Sequence, residues 1–433
     1  MNKSKIMIRA FFVCGVLAAA MFSPGCGRKS GGTGSPATDS AKTTIRVAWW
    51  GGDNRRNATL EAVKLFEQAN PDIAVILEYM ERDKYWDNLA GQVAGGTAAD
   101  VIQCGGNYPG YVAQDALLEL EQYTGNLLDV SRFDQDALET GSMNGHLYGV
   151  CLGTATLALV YNKSLLEKSG AGLPKDPMTW NELRLYALSI MPHLLPGVYP
   201  LVDNSSDQTD YMTYFLRQNN APLYRGGASQ AAVEDFAQWI AFWENLRADQ
   251  LIPDIETAGS YPETGPESSM LTAGKAVIGL ILSNRFGMYQ EATTDELDFI
   301  QVPDIEKNAL WKQPTRYLCV NKKSADPKAA VRFISFFVNN PEVGKMLGAD
   351  LGISSSQPVR EALAANAGGN GKKLYAFYEV AASHTTPMDP SLPDDQEFNN
   401  TFKLITQRVA AGQLTVHQGA EQIYRVVQQQ LKK

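Results

Sequence analysis

Histidine and cysteine are scarce in this 433-residue chain, with four of the first and five of the second. The histidines, His146, His193, His384 and His417, stand far apart and in no metal-ligand spacing. Cys14 and Cys26 fall near the amino terminus, which leaves Cys104, Cys151 and Cys319 for the body. Three cysteines do not make a disulfide scaffold, so they read as small buried hydrophobes, with one Cys151–Cys319 pair as the alternative. No Gly-x-Ser-x-Gly elbow and no phosphate-binding P-loop motif occurs. Asp203-Asn204-Ser205-Ser206-Asp207 has the rhythm of a calcium loop but lacks its glycine and closing glutamate. No cofactor and no metal are therefore expected. The chain also lacks any Lys/Arg-rich run, and its formal charge is −9, which argues against nucleic acid as a partner. Finally, no apolar run is long enough to span a membrane.

One shorter apolar run does stand out. Ala10 to Phe22 follows Lys3, Lys5 and Arg9 and precedes Ser23-Pro24-Gly25-Cys26. That order reads as an export signal over residues 1–25. The small residue before Cys26 resembles a bacterial lipoprotein signal, in which the cysteine is lipidated after cleavage. Ser23 departs from the leucine usual there, and ordinary signal cleavage is the alternative. Residues 26–43 would then be the lipidated cysteine and a Gly/Ser/Thr-rich flexible tether. The expected location is extracytoplasmic, anchored to the bacterial cell membrane by lipid.

The remainder is 44% hydrophobic and 20% charged, the balance of a globular body. Ile45, Val47 and Trp49 alternate with other residues up to Trp50-Gly51-Gly52, which predicts a strand ending in a glycine turn. Asp53 or Asn54 is placed to cap a helix from about Arg56 to Asn70. Strand and helix recur through Ile73–Tyr79, a helix from Asp83, and Asp100–Cys104 followed by Gly105-Gly106-Asn107-Tyr108. This repetition predicts parallel strands with right-handed crossovers in an open α/β sheet. Such sheets bind ligands in the crevice at the carboxyl ends of their strands. Further on, Thr179 reads as a helix cap, Asp326-Pro327 as a helix start, and Thr415 as the cap of a last helix. Trp239 and Trp243, four apart on one helix face, read as core.

Taken in order, the segments Ala99-Asp100-Val101-Ile102, Gly145-His146-Leu147-Tyr148-Gly149, Tyr161-Asn162-Lys163-Ser164-Leu165-Leu166, Thr179-Trp180-Asn181-Glu182-Leu183, Gly274-Lys275-Ala276 and Phe333 to Pro341 are familiar. With Cys26 and the Ile45–Trp50 strand, they resemble the family-1 extracellular solute-binding proteins of sugar ABC importers. More narrowly, Ala48-Trp49-Trp50-Gly51-Gly52 with Arg55 is similar to members that serve pectin-derived oligosaccharides such as rhamnogalacturonan fragments. The resemblance implies a two-lobed periplasmic-binding-protein-like fold of type II. Each lobe is an open mixed sheet flanked by helices, with the ligand cleft between them. It implies crossings near Leu152–Thr154, Tyr261–Thr264 and Trp311–Thr315. Lobe 1 would comprise 44–152 plus 264–314, and lobe 2 would comprise 153–263 plus 315–433. The implied partners are an oligosaccharide, the permease subunits of an ABC importer, and the membrane through the anchor. The protein is expected to act as a monomer and not as an enzyme.

A sugar offers hydroxyls at its rim and an apolar C–H face, so its site needs flat aromatic platforms and planar polar groups. The expected ligand-binding residues are Trp50, Gly51, Arg55, Tyr85, Asn107, Tyr108, Thr154, Asp203, Asp207, Asn284, Arg285 and Ser354. Trp50 is the expected stacking platform and Trp49 the core anchor. Among Arg55, Arg56, Arg285 and Arg316, those near the cleft are candidates for forking onto a uronate carboxylate. Two rival readings are an exported glycan-degrading hydrolase or lyase, which needs a pair of carboxylates, and a sugar-sensing subunit for a membrane kinase or chemoreceptor.

Overall fold

The computed structural model describes residues 42–206, 209–304 and 307–432. Cys26, its tether and Asp207 lie outside the described residues. The strands in chain order are β1 (Thr43–Trp50), β2 (Ile73–Met80), β3 (Val101–Cys104), β4 (Ser142–Met143), β5 (His146–Leu147) and β6 (Gly149–Ala155). Then come β7 (Leu157–Asn162), β8 (Tyr199–Leu201), β9 (Ala276–Leu282), β10 (Leu297–Ile300), β11 (Gln313–Val320) and β12 (Ile353–Ser354). Six of them form one sheet in the order β12-β6-β11-β3-β1-β2, four form a second in the order β10-β7-β9-β8, and β4 pairs with β5. β1 runs parallel to both β2 and β3, as the repeated strand–helix units predict. β11 lies antiparallel between β3 and β6, so the first sheet is mixed.

Alternation along β1 divides two cores. Ile45, Val47 and Trp49 face the helix Pro327–Asn339 with Phe333 and Phe337. Ala48 and Trp50 face the other side with Tyr85, Tyr108 and Tyr317. The second lobe has its own core, in which Trp180, Tyr211, Trp239 and Trp243 pack edge to face. Helix ends follow local chemistry. Thr179 and Glu182 form a reciprocal capping box, Asp326 Oδ1 accepts from the Ala329 amide at 2.9 Å, and Thr415 caps the last helix. The helix after β1 starts earlier than expected, at Asp53, with Gly52 at its cap position and no side-chain cap.

The exchange of segments between lobes differs from the expected one. Residues 264–314 carry β9 and β10, and both belong to the second sheet. The apolar run Ala276–Leu282 is buried because β7 flanks it on one side and β8 on the other. Residues 315–354 carry most of β11 and all of β12, which complete the first sheet. The chain passes between sheets at Thr156, the single residue separating β6 from β7, and again just before Gln313. Residues 261–264 make no crossing, since the chain enters and leaves them within the second lobe. The third passage lies between helix Gln357–Asn366 and helix Gly369–Ser383, whose Phe377 stacks on Phe299 of β10 at 4.4 Å. At the first passage Ser283 holds Thr156 from both sides, donating its amide to the Thr156 carbonyl at 2.9 Å and accepting from the Thr156 amide at 3.1 Å. No helix among the described residues is long and apolar enough to cross a membrane.

Candidate functional site

The carboxyl ends of β1 and β3 open onto a cavity of about 1100 Å³ between the two lobes. The first lobe lines it with Trp50, with Arg82 and Trp86 from the first turns of the helix after β2, and with Gly105, Gly106 and Asn107 after β3. The second lobe adds Asp210 and Arg217 from helix Thr209–Gln218, Tyr224, Arg285, Tyr289, and the segment from Met388 to Lys403. Trp311 and Gln313 to Arg316 enter along the crossing segment and run on into β11.

Arg316 is the group around which this cavity is charged. β11 slips register on either side of it, and such an irregularity re-aims a side chain. Its guanidinium lies 5.0 Å from the ring centre of Trp50, and its Nη1 donates only to the neighbouring Thr315 carbonyl. Its Nε is buried without a partner. Burial, reinforced by the charges of Arg55, Arg82 and Arg285, pulls its pKa down to about 10. No carboxylate among the described residues makes an ion pair with Arg82, Arg285 or Arg316. Three guanidinium groups thus line one cleft with no carboxylate in ion-pair contact, Asp350 being held by Arg55 and acting on Arg316 only from further off, a site ready for an anion.

The opposite end differs. Arg217 lies over the Trp311 ring at 5.2 Å, donates to the Pro387 carbonyl at 3.0 Å and pairs with Asp389 at 3.5 Å. Arg225 grips the same Asp389 with both carboxylate oxygens, at 2.5 and 3.0 Å. Burial raises the pKa of Asp210 to about 6 and that of Asp395 above its ordinary range. No Lys or Arg among the described residues makes an ion pair with either acid.

Of the expected site residues, Trp50, Asn107 and Arg285 line this cavity. Trp50 is 4% exposed, packed on Tyr85 and Trp86 at 5.0 and 4.6 Å, with Arg316 over it, so it is a buried base and not an open platform. The half-buried Trp86 holds the position in the cleft wall that the sequence reading gave to Trp50. The Gln103 amide oxygen accepts from the Trp50 amide at 3.1 Å and fixes the turn. Gly51 is required by Arg55, whose Cδ lies 2.6 Å from where a Cβ would stand, and its carbonyl accepts from the Tyr79 hydroxyl. Arg55 is committed elsewhere, donating to Asp350 through Nε at 2.6 Å and Nη2 at 3.0 Å and to the Trp50 carbonyl through Nη1. Arg56 lies over Tyr79.

Tyr85 and Tyr108 are buried struts. Their hydroxyls donate to the carbonyls of Gln103 and Thr140, at 2.8 and 2.9 Å. Thr154 is fully buried and shares a hydrogen bond with the Tyr378 hydroxyl. Asp203 pairs with Arg247 at 2.9 Å and borders a separate cavity of about 460 Å³ in the second lobe. Asn284 sits in the turn beside Arg285 with its Oδ1 buried and unpartnered, and it does not line the cleft. Ser354 lies on the edge strand β12, where its Oγ accepts from the Ser356 amide at 3.2 Å. Cys104, Cys151 and Cys319 are all free and buried, so no Cys151–Cys319 bond forms.

A protein-family model described as bacterial extracellular solute-binding protein matches residues 61–372. The chain belongs to this family. A binding protein of Brucella abortus (strain 2308) is 30% identical over 131 residues, which are 30% of this chain and 31% of that one. The match thus spans about a third of the length of the curated relative. Among solved structures, a family-1 extracellular solute-binding protein from Alicyclobacillus acidocaldarius is similar with a TM-score of 0.78 and 26% identity, over 91% of this chain and all of that one. A periplasmic oligogalacturonide binding protein from Yersinia enterocolitica has a TM-score of 0.74 at 22% identity, over 90% of this chain and all of that one. That protein has also been solved with saturated digalacturonic acid.

For a solute-binding protein, the strand ends were the legible part of the site. Arg82, Asp210, Arg217 and Asp395 were missed. Arg82, Asp210 and Asp395 sit in the first turns of their helices and Arg217 in the last turn of its own. Asp210 closes the polar stretch from Asp203 to Asp210, and that membership was the one available signal.

Proposed function

We propose that this solute-binding protein is the receptor of a sugar ABC importer and takes a pectin-derived, uronate-bearing oligosaccharide into the cleft between its lobes. The observation that carries the reading is the meeting of Arg82, Arg285 and Arg316, without a carboxylate partner, beside the indoles of Trp50 and Trp86. A uronate brings both things this end lacks: a planar carboxylate for a guanidinium fork and an apolar ring face for an indole. Contacts from both lobes stabilise the closed form over the open one, and the permease reads that closed form. No covalent step is involved. Lipid on Cys26 holds the receptor, as a monomer, beside its permease.

The test is calorimetric titration, with thermal shift alongside, across acidic and neutral oligosaccharides. The expected result is saturable binding of uronate-bearing sugars, no change in the sugar on incubation, and no binding of neutral sugars of equal length. Preference for the neutral sugars, or cleavage of the acidic ones, overturns the reading.

A further inference from the structure

The cleft is charged in opposite senses at its two ends, and β11 measures the distance between them. Gln313 lines the cavity beside Asp210 and acts on its carboxyl, while Arg316, three residues further along the strand, belongs to the arginine group. Across the slipped register Gln313 stands opposite Ala155 and Arg316 opposite Gly153, two steps on β6, so at roughly 3.3 Å per residue the strand advances about 7 Å between them. The charges that act on Arg316 come from Arg55, Arg82, Arg285 and Asp350, and the charge that acts on Asp210 comes from Asp395. The cationic groups sharing the second end are engaged. Arg217 pairs with Asp389, and Lys403, more than two turns along the helix that begins at Asp395, has an interaction of its own.

We infer that the cleft reads its ligand with polarity, seating a uronate against Arg316 and a neutral sugar against Asp210 and Asp395. This rests on the acidic-sugar reading above and narrows it, from acidic glycans in general to glycans in which uronate and neutral units are joined. Ionised aspartates accept hydrogen bonds from the hydroxyls of a neutral sugar. A second uronate at the same place brings like charges together in a partly desolvated wall, which such interfaces use to reject wrong partners. Leu223, Tyr224 and Leu392 give that end the apolar surface a neutral ring needs.

The experiment titrates the full chain with three probes at pH 7.5: a disaccharide of galacturonic acid and rhamnose, digalacturonic acid, and the neutral disaccharide galactobiose. The expected order puts the mixed disaccharide at least tenfold tighter than digalacturonic acid, with galactobiose weakest. At pH 5 the Asp210 carboxyl is protonated, and the gap between the two acidic probes narrows. The double variant Asp210→Asn with Asp395→Asn narrows it in the same direction at pH 7.5, and a melting curve checks that the variant is folded. Digalacturonic acid binding as tightly as the mixed disaccharide at pH 7.5 overturns the polarity while leaving the acidic-sugar reading in place. Failure of both acidic probes, or preference for galactobiose, overturns that reading and the polarity with it.

Discussion

Replacing Arg316 by methionine should make the free protein more stable and the receptor useless for acidic sugar. The guanidinium is held in the cleft wall with other arginines around it, and its pKa falls from the ordinary guanidinium value to about 10. At about 1.4 kcal/mol per tenfold, that fall corresponds to a cost of about 3 kcal/mol for keeping the charge in place. Two favourable terms stand against it. The cation–π contact with Trp50 contributes about 1 kcal/mol, and the bond to the Thr315 carbonyl is made within one strand. Methionine is of similar length, and its sulfur restores part of the contact with the indole, about 0.5 kcal/mol. The balance is a gain of about 2 kcal/mol, a rise of about 2 °C in Tm for a body of this size. Scanning calorimetry without sugar reads this term alone. Titration with an acidic disaccharide then reads the other side, where loss of a charge-assisted fork weakens binding by about 100-fold. A Tm that drops on substitution refutes the reasoning, because it makes Arg316 a structural cation whose partner is already present.

Four further outcomes follow from the same geometry. Trp50→Ala removes a buried indole beneath Arg316 and should cost about 3–5 kcal/mol in denaturant unfolding, besides abolishing binding; an unchanged midpoint would return Trp50 to the role of an open platform. Arg285→Gln, at an exposed position, should leave the melting temperature within about 1 °C and reduce affinity only for acidic sugars, as parallel titrations with neutral sugars will show. Asp210 binds its proton more tightly in the folded protein than in the unfolded chain, so stability falls as pH rises from about 4 and levels off above about 6. Asp210→Asn should lack that fall, which amounts to at most about 3 kcal/mol, and melting curves from pH 4 to 8 on both proteins measure the difference. Thr179→Ala breaks the reciprocal cap with Glu182 and should cost about 1 kcal/mol in the same assay, with sugar affinity unchanged.

What was legible in the sequence was whatever local pattern decides. The alternation Ile45, Val47, Trp49 fixes which indole faces which core, because side chains along a strand switch sides at every residue. Caps at Thr179, Asp326 and Thr415 are equally local, each needing only its own next three residues. The lobe to which a returning segment belongs is not local. Ala276–Leu282 and Tyr317–Val320 are both short apolar runs, and only pairing partners more than a hundred residues away distinguish them. Site residues divide in the same way. Asn107 and Arg285 were found because they follow strand ends. Arg55 has the same position and a more persuasive neighbourhood, yet Asp350, 295 residues away, occupies its fork. Arg316 stands inside a strand and gains the role through a register slip that no local pattern shows. The distinction between a spent arginine and a waiting one is therefore made by distant carboxylates. In this cleft Asp389 is kept by Arg217 and Arg225 and Asp350 by Arg55, and Arg316 has no ion-pair partner. A charge left unpaired at that cost in the free protein points to a ligand that supplies the missing half.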